Sequence, residues 1–93
     1  MPKHLISITE AAEQDLADNP AAALKLAENI EQSILQLENF PLIGTIPKNR
    51  RLNRQGYRIL IVDSYLMFYV LLDNETVEIR RIISGKRDYK FLL

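Results

Sequence analysis

The residues best suited to chemistry in this sequence are cations set on and beside predicted strands, with tyrosines among them. Arg58 stands near the start of one such strand. Arg80 and Arg81 lie within the last one, and Lys86, Arg87 and Tyr89 follow its end. Arg50, Arg51 and Arg54 occupy the segment that leads into the first. Guanidinium groups are planar, permanently charged donors suited to phosphate oxygens. A tyrosine can stack on a base or pass a proton. Such a set could cleave RNA without a metal. The ribose 2′-OH would attack the neighbouring phosphate, cations would stabilise the more negative transition state, and a group near the leaving oxygen would supply a proton. A free tyrosine has a pKa of about 10, so it serves as a base only where nearby cations lower that value. The plainer reading stands beside this one: surface cations are commonly just solvated. Arg80 can pair with Glu78, and Tyr57, Tyr65 and Tyr69 suit the packing of a sheet.

Other chemistries find little support. His4 is the only histidine and there is no cysteine, so disulfides and thiolate metal sites are excluded. Ligation by carboxylates alone is suggested by no spacing. Ser7, Ser33, Ser64 and Ser84 stand in no nucleophile motif, and there is no GxGxxG or P-loop. No metal and no cofactor are expected.

The elements that must position these cations can be read from pattern. Residues 3–8 suit a short first strand, with Leu5 as its surest core position. Thr9 reads as a helix N-cap, with Glu10 and Glu13 in the first turn where the helix dipole favours acids. A helix over 10–17 ends at Asp18-Asn19-Pro20, and Pro20 suits the first position of a second helix over 20–38. The apolar stripe of that helix is Ala23, Ala27, Ile30, Ile34 and Leu37, so 10–38 reads as a helical hairpin with one seam. Residues 40–56 read as a loop rich in Pro and Gly, carrying Lys48 and the three arginines. Three strands follow, over 57–62, 65–72 and 76–84, joined at Asp63-Ser64 and Asp73-Asn74-Glu75. The middle strand is almost wholly apolar, as a strand covered on both faces would be. The last would place Val77, Ile79 and Ile83 on one face. Connections this short imply an antiparallel meander. In this arrangement the basic residues would converge on one end or face of the sheet, with the 50–54 segment folded over them.

A chain of 93 residues, 47% of them apolar, is that expected of one small globular domain. No apolar stretch is long enough to span a bilayer, and none at the N-terminus suits a signal peptide. A cytoplasmic location without membrane contact is therefore expected. The net charge of zero conceals an asymmetry. Residues 1–47 hold seven acids and two cations, whereas 48–93 hold ten cations and five acids. Charge divided in this way suggests that one face meets a polyanion or an acidic protein.

The ordered set Tyr57-Arg58, Tyr65-Leu66-Met67-Phe68-Tyr69, the acidic turn at 73–75, Val77-Glu78-Ile79 and Gly85-Lys86-Arg87-Asp88 resembles the C-terminal half of the RelE/ParE family of bacterial toxins. The opening fits as well: a short strand, Thr9-Glu10-Ala11, a helical hairpin and a Pro/Gly loop. The resemblance implies an α+β fold of order β-α-α-β-β-β, with the hairpin packed on a small, mainly antiparallel sheet. It also implies the toxin of a type II toxin–antitoxin pair, silenced by a cognate antitoxin and bound to operator DNA only through that antitoxin. RelE-type members cut mRNA in the ribosomal A site, whereas ParE-type members poison DNA gyrase. Carried over residue by residue, Arg58 matches a basic position on the first meander strand, Arg87 matches the arginine after the last, and Tyr89 is the candidate tyrosine. These three would be catalytic if the chain is RelE-like. Leu60 and Leu66 stand where further cations belong. Losing two cations from such a site should cost several kcal/mol, given about 3 kcal/mol for one transition-state donor elsewhere. The departures, the 65–69 segment and the long second helix tilt the reading toward ParE and gyrase. Arg50, Arg51, Arg54, Arg81 and Lys86 are the expected nucleic-acid- or target-binding positions, and Arg54, Arg81 or Lys86 could stand in for the missing cations of a RelE-like site. An inactive toxin fold retained as an antitoxin-binding scaffold is the third expectation.

Overall fold

The computed structural model describes residues 3–87, Tyr89 and Leu93; for Ala21, Ala22, Lys25 and Leu26 it describes the backbone alone. The elements are β1 (Leu5–Ile8), α1 (Glu10–Ala17), α2 (Pro20–Asn39), α3 (Arg50–Arg54), β2 (Arg58–Val62), β3 (Tyr65–Leu72) and β4 (Thr76–Ser84). The strands form one sheet in the order β1-β4-β3-β2, with β1 parallel to β4 and the other pairs antiparallel. The expected α+β architecture is therefore present, with one addition. The 40–56 segment is not loop throughout, because Asn49 accepts a hydrogen bond from the Leu52 N–H through its side chain and starts a single helical turn, α3.

Local chemistry explains the boundaries. The Thr9 hydroxyl accepts from the Ala12 N–H at 3.2 Å and begins α1 where an N-cap was expected. Both hairpin turns use residues that tolerate positive φ: Asp63 at 58°, Asp73 at 50° and Asn74 at 59°. The Glu75 N–H donates to the Leu72 carbonyl at 2.9 Å, so Asp73-Asn74 form a type I′ turn, whose twist suits a hairpin.

Both faces of β3 are covered. On one face Met67 and Tyr69 join Val62, Val77, Ile79 and Ile82 beneath Ala12 of α1 and Leu37 of α2. On the other, Phe68 and Val70 pack with Leu52 of α3, Tyr57 and Ile83, flanked by Tyr89 and Leu93. Of the expected stripe on α2, Ile30, Ile34 and Leu37 meet the core, Ala23 is half-buried and Ala27 is exposed. Two expectations are corrected. Leu5 is 68% exposed. The parallel register pairs Ile6 with the core residue Val77, so Ile6 takes the helix-facing side and Leu5 the other. Ile83 does not share a face with Val77 and Ile79. The ladder pairs Phe68 with Arg81 and Tyr69 with Ile79, which leaves Arg80 as an extra residue. This bulge shifts the alternation by one, so Ile82 stays on the helix face and Ile83 turns to the other. The expected packing stub 91–93 lies partly outside the described residues; Leu93 itself packs beside the second cluster.

β1 covers only the first half of the outer edge of β4, and α1 completes it. The Thr9 N–H donates to the Ile79 carbonyl and the Thr9 hydroxyl to the Arg80 carbonyl, both at 3.0 Å. Beyond them the Asp15 carboxylate accepts from the Ile82 N–H at 2.9 Å and from the Arg81 guanidinium at 2.8 and 2.7 Å. Removing that carboxylate strands a mostly buried guanidinium and a strand N–H together. Asp15→Ala should therefore cost about 3 kcal/mol in urea unfolding. Lys3→Ala, which breaks the open 3.8 Å contact with Glu38, should cost less than about 0.5 kcal/mol in the same experiment.

Candidate functional site

The cations fall into three groups: Arg58 on the helix-facing side of the sheet, and two groups toward the face where Tyr57 packs with Leu52 of α3. Arg58, on β2, pairs in register with Tyr69 and so lies on the helix-facing side. Its guanidinium donates to the carbonyls of Leu42 at 3.2 Å and Gly44 at 2.9 Å. It is thus a clamp on the loop after α2. Tyr69 belongs to the same clamp, since its buried hydroxyl accepts from the Gly44 N–H at 2.9 Å. Burial pushes the Tyr69 pKa up, while the Gly44 N–H and the Arg58 charge partly oppose the shift. The loop approaches so closely that a Cβ at Gly44 would lie 2.6 Å from the Tyr69 hydroxyl and 2.8 Å from its ring.

The second group is the arginine pair of β4, and both members have partners. Arg80 donates to Glu78 at 2.8 Å, and its guanidinium carbon lies 5.4 Å from the centre of the Tyr57 ring. Arg81 is held by Asp15, whose carboxylate raises the arginine pKa further. Arg81 is mostly buried against its acid, whereas the Arg80 side chain stays 35% exposed beside the Tyr57 hydroxyl, 3.5 Å from its guanidinium.

The third group lies toward the same face. Arg50, Arg51 and Arg54 on α3 are exposed, and Arg50 and Arg54 flank a shallow polar depression with Asn53. Lys86 and Arg87 are exposed just past β4, where Arg87 N–H donates to the Ser84 carbonyl. Asp88 of the same motif lies outside the described residues. Tyr89 is half-buried, its ring 5.0 Å from that of Phe68 and tilted by 47°. Successive residues of a strand point to opposite faces. Tyr89 packs on Phe68 and Arg58 pairs with Tyr69, so the sheet separates them. Arg58, Arg87 and Tyr89 therefore do not come together as one catalytic cluster. Among the described residues no group of three His, Asp or Glu could hold a metal ion.

Residues 6–89 match the family model of the ParE toxin of the type II toxin–antitoxin system parDE. The chain belongs to this family. It also shares its fold with the solved RelBE2 toxin–antitoxin complex of Mycobacterium tuberculosis, at 28% identity and a TM-score of 0.69 over 90% of this chain and 99% of that one. The chromosomal ParDE system of P. aeruginosa is similar in fold alone, at 18% identity and a TM-score of 0.65 over 88% of this chain and 96% of that one. No curated protein sequence matches. The chain is thus a type II toxin by family, and its sheet, hairpin and order of elements are those of the RelE/ParE group.

Sequence reasoning passed over three residues of this frame. Asp15 reads as one more acid on a solvated helix. Gly44 reads as one glycine in a loop, although its place between Pro41 and Pro47 signals a constrained path. Tyr69 reads as packing, which it is, but its hydroxyl also orders the loop. Gly44→Ala should destabilise this toxin by about 2 kcal/mol, seen as a lower thermal midpoint, because neither the buried ring nor the Ile59 carbonyl 3.0 Å away has room to yield. The raised Tyr69 pKa gives a second expectation. Above pH ~10 the unfolded chain releases the proton that the native state still holds, so stability falls as pH rises through that range. In Tyr69→Phe the alkaline fall, followed by urea unfolding at increasing pH, should be shallower even though the variant starts less stable.

Proposed function

We propose that this type II toxin is held inactive by a cognate antitoxin and arrests growth by binding DNA gyrase. The observation that supports a binding mode over RNA cleavage is the engagement of Arg58. That guanidinium holds two loop carbonyls on the face of the sheet opposite Tyr89. Metal-free cleavage of a phosphodiester needs cations and a proton carrier converging within hydrogen-bond reach of one phosphate. Arg81 offers no substitute, since Asp15 takes two of its N–H groups and the pair is mostly buried, and Arg80 gives its Nε–H to Glu78. The exposed cations of α3 and of the segment after β4 suit contact with a target surface. Operator DNA would be reached only through the antitoxin, and the pair would act in the cytoplasm. No helix among the described residues is long and apolar enough to cross a membrane. The antitoxin partnership is supported by the family and by the fold shared with a solved toxin–antitoxin complex.

The RelE-like reading keeps one feature in its favour: Lys86 and Arg87 stand exposed beside Tyr89. Two assays on the purified toxin separate the readings. The expected result is dose-dependent inhibition of gyrase supercoiling, with mRNA left intact on programmed ribosomes. Cuts in the A-site codon that vanish in Arg87→Ala would instead make the chain an mRNA endonuclease. Neither effect, together with normal growth on expression alone, would identify an inactive scaffold.

A further inference from the structure

The segment between α2 and α3 turns its polar backbone inward and its apolar side chains outward. The carbonyls of Leu42 and Gly44 accept from Arg58, the Gly44 N–H donates to Tyr69, and Thr45 exchanges two backbone hydrogen bonds of 2.9 Å with Ile59 of β2. Pro41 and Pro47 fix φ at two further points. The large side chains in this frame face water: Phe40 is 65% exposed, Leu42 56%, Ile43 47% and Ile46 55%. Single exposed apolar residues need no explanation, but four within seven positions, held out by internal hydrogen bonds, mark an interaction surface. Residues Asn39 to Ile43 line an open apolar depression of about 590 Å³, large enough to seat an anchoring side chain.

Charge identifies the occupant. Between Asn39 and Val62 the sequence has five cations and no acid. Lys48, Arg50 and Arg54 follow the apolar patch directly and are exposed. A two-fold dimer through this surface would set each basic cluster beside its own copy, which opposes that assembly. A partner segment with apolar side chains flanked by carboxylates satisfies both features. We infer that residues 40–46 and α3 form a docking surface for an apolar, acidic segment of the antitoxin. The inference rests on the toxin–antitoxin reading above. Because Arg58, Tyr69 and Ile59 already hold the loop, docking orders little backbone, and the cations of α3 speed encounter.

The test uses the whole toxin and, as probe, the product of the short reading frame adjacent to its own. Binding is measured by calorimetry and stopped-flow, with growth arrest and rescue followed in cells. Phe40→Glu and Leu42→Glu should each weaken binding at least about tenfold. They should keep the thermal midpoint and the growth arrest of the wild type but lose rescue. Arg50→Glu combined with Arg54→Glu should slow association and flatten its salt dependence, and it decides the matter alone if the loop variants fail to fold. Wild-type affinity and association rate in all variants would overturn the inference and leave the antitoxin pairing intact. So would self-association of the wild type abolished by Phe40→Glu, which would assign the surface to a second copy. Variants rescued normally but no longer toxic would assign it to the target. If the wild type does not bind the probe at all, the pairing itself fails and this inference falls with it.

Discussion

The Asp15 carboxylate determines how the helices sit on the sheet. β4 has nine residues and β1 only four, so half of the outer edge of β4 has no strand beside it. Edge N–H and C=O groups shut away from water must find partners. Here the chain leaving β1 supplies them, first with the backbone and hydroxyl of Thr9 and then with the carboxylate of Asp15. The two stand six positions apart in the chain, a helical rise of about 9 Å. Two attachments that far apart fix both the position and the direction of α1 along the strand. The direction of α2 follows, because only Asp18 and Asn19 separate the helices and the Asn19 amide donates to the Tyr65 hydroxyl at 3.0 Å.

The bulge at Arg80 lets β4 serve this edge and two cores at once. The apolar positions of the strand are spaced by two from Val77 to Ile79 and by three from Ile79 to Ile82. A regular strand would turn Ile82 away from the helices. One extra residue restores it and frees Ile83 for the face covered by α3 and Tyr57. The adjacent arginines take different acids. Arg80 reaches Glu78 and the ring of Tyr57, and Arg81 reaches Asp15 of α1. Both neighbouring cations thus take part in ties that hold the strand in place.

The fold was largely legible because each element carries its own signal. Thr9 caps a helix, Pro20 opens another, and Asp and Asn occupy the turns. The boundaries of α1, β3 and β4 follow from those residues. Parallel pairing of β1 was not legible, and Leu5 was misassigned for that reason: a four-residue strand has apolar side chains on both faces, and only its register against Val77 decides between them. α3 was missed because its signal is a single Asn49 amid a run of cations. The candidate site was legible as a collection of residue types and not as an arrangement. Sequence places Arg58 and Tyr89 on the same strand system, but strand alternation and the path of the tail put them on opposite faces.

The division of charge along the chain acquires a different meaning once these ties are drawn. Part of the asymmetry is internal: Asp15 of the acidic half holds Arg81 of the basic half. Glu78 takes up Arg80 within the sheet. The cations that remain exposed are concentrated on α3 and just beyond β4, and they border apolar surface. A phosphate-cleaving site needs cations aimed inward at one point, with their hydrogen bonds left for the transition state. This chain directs its strand arginines at its own carbonyls and carboxylates, and turns the others outward from rigid supports. Such a distribution can steer and hold a macromolecule over a broad surface.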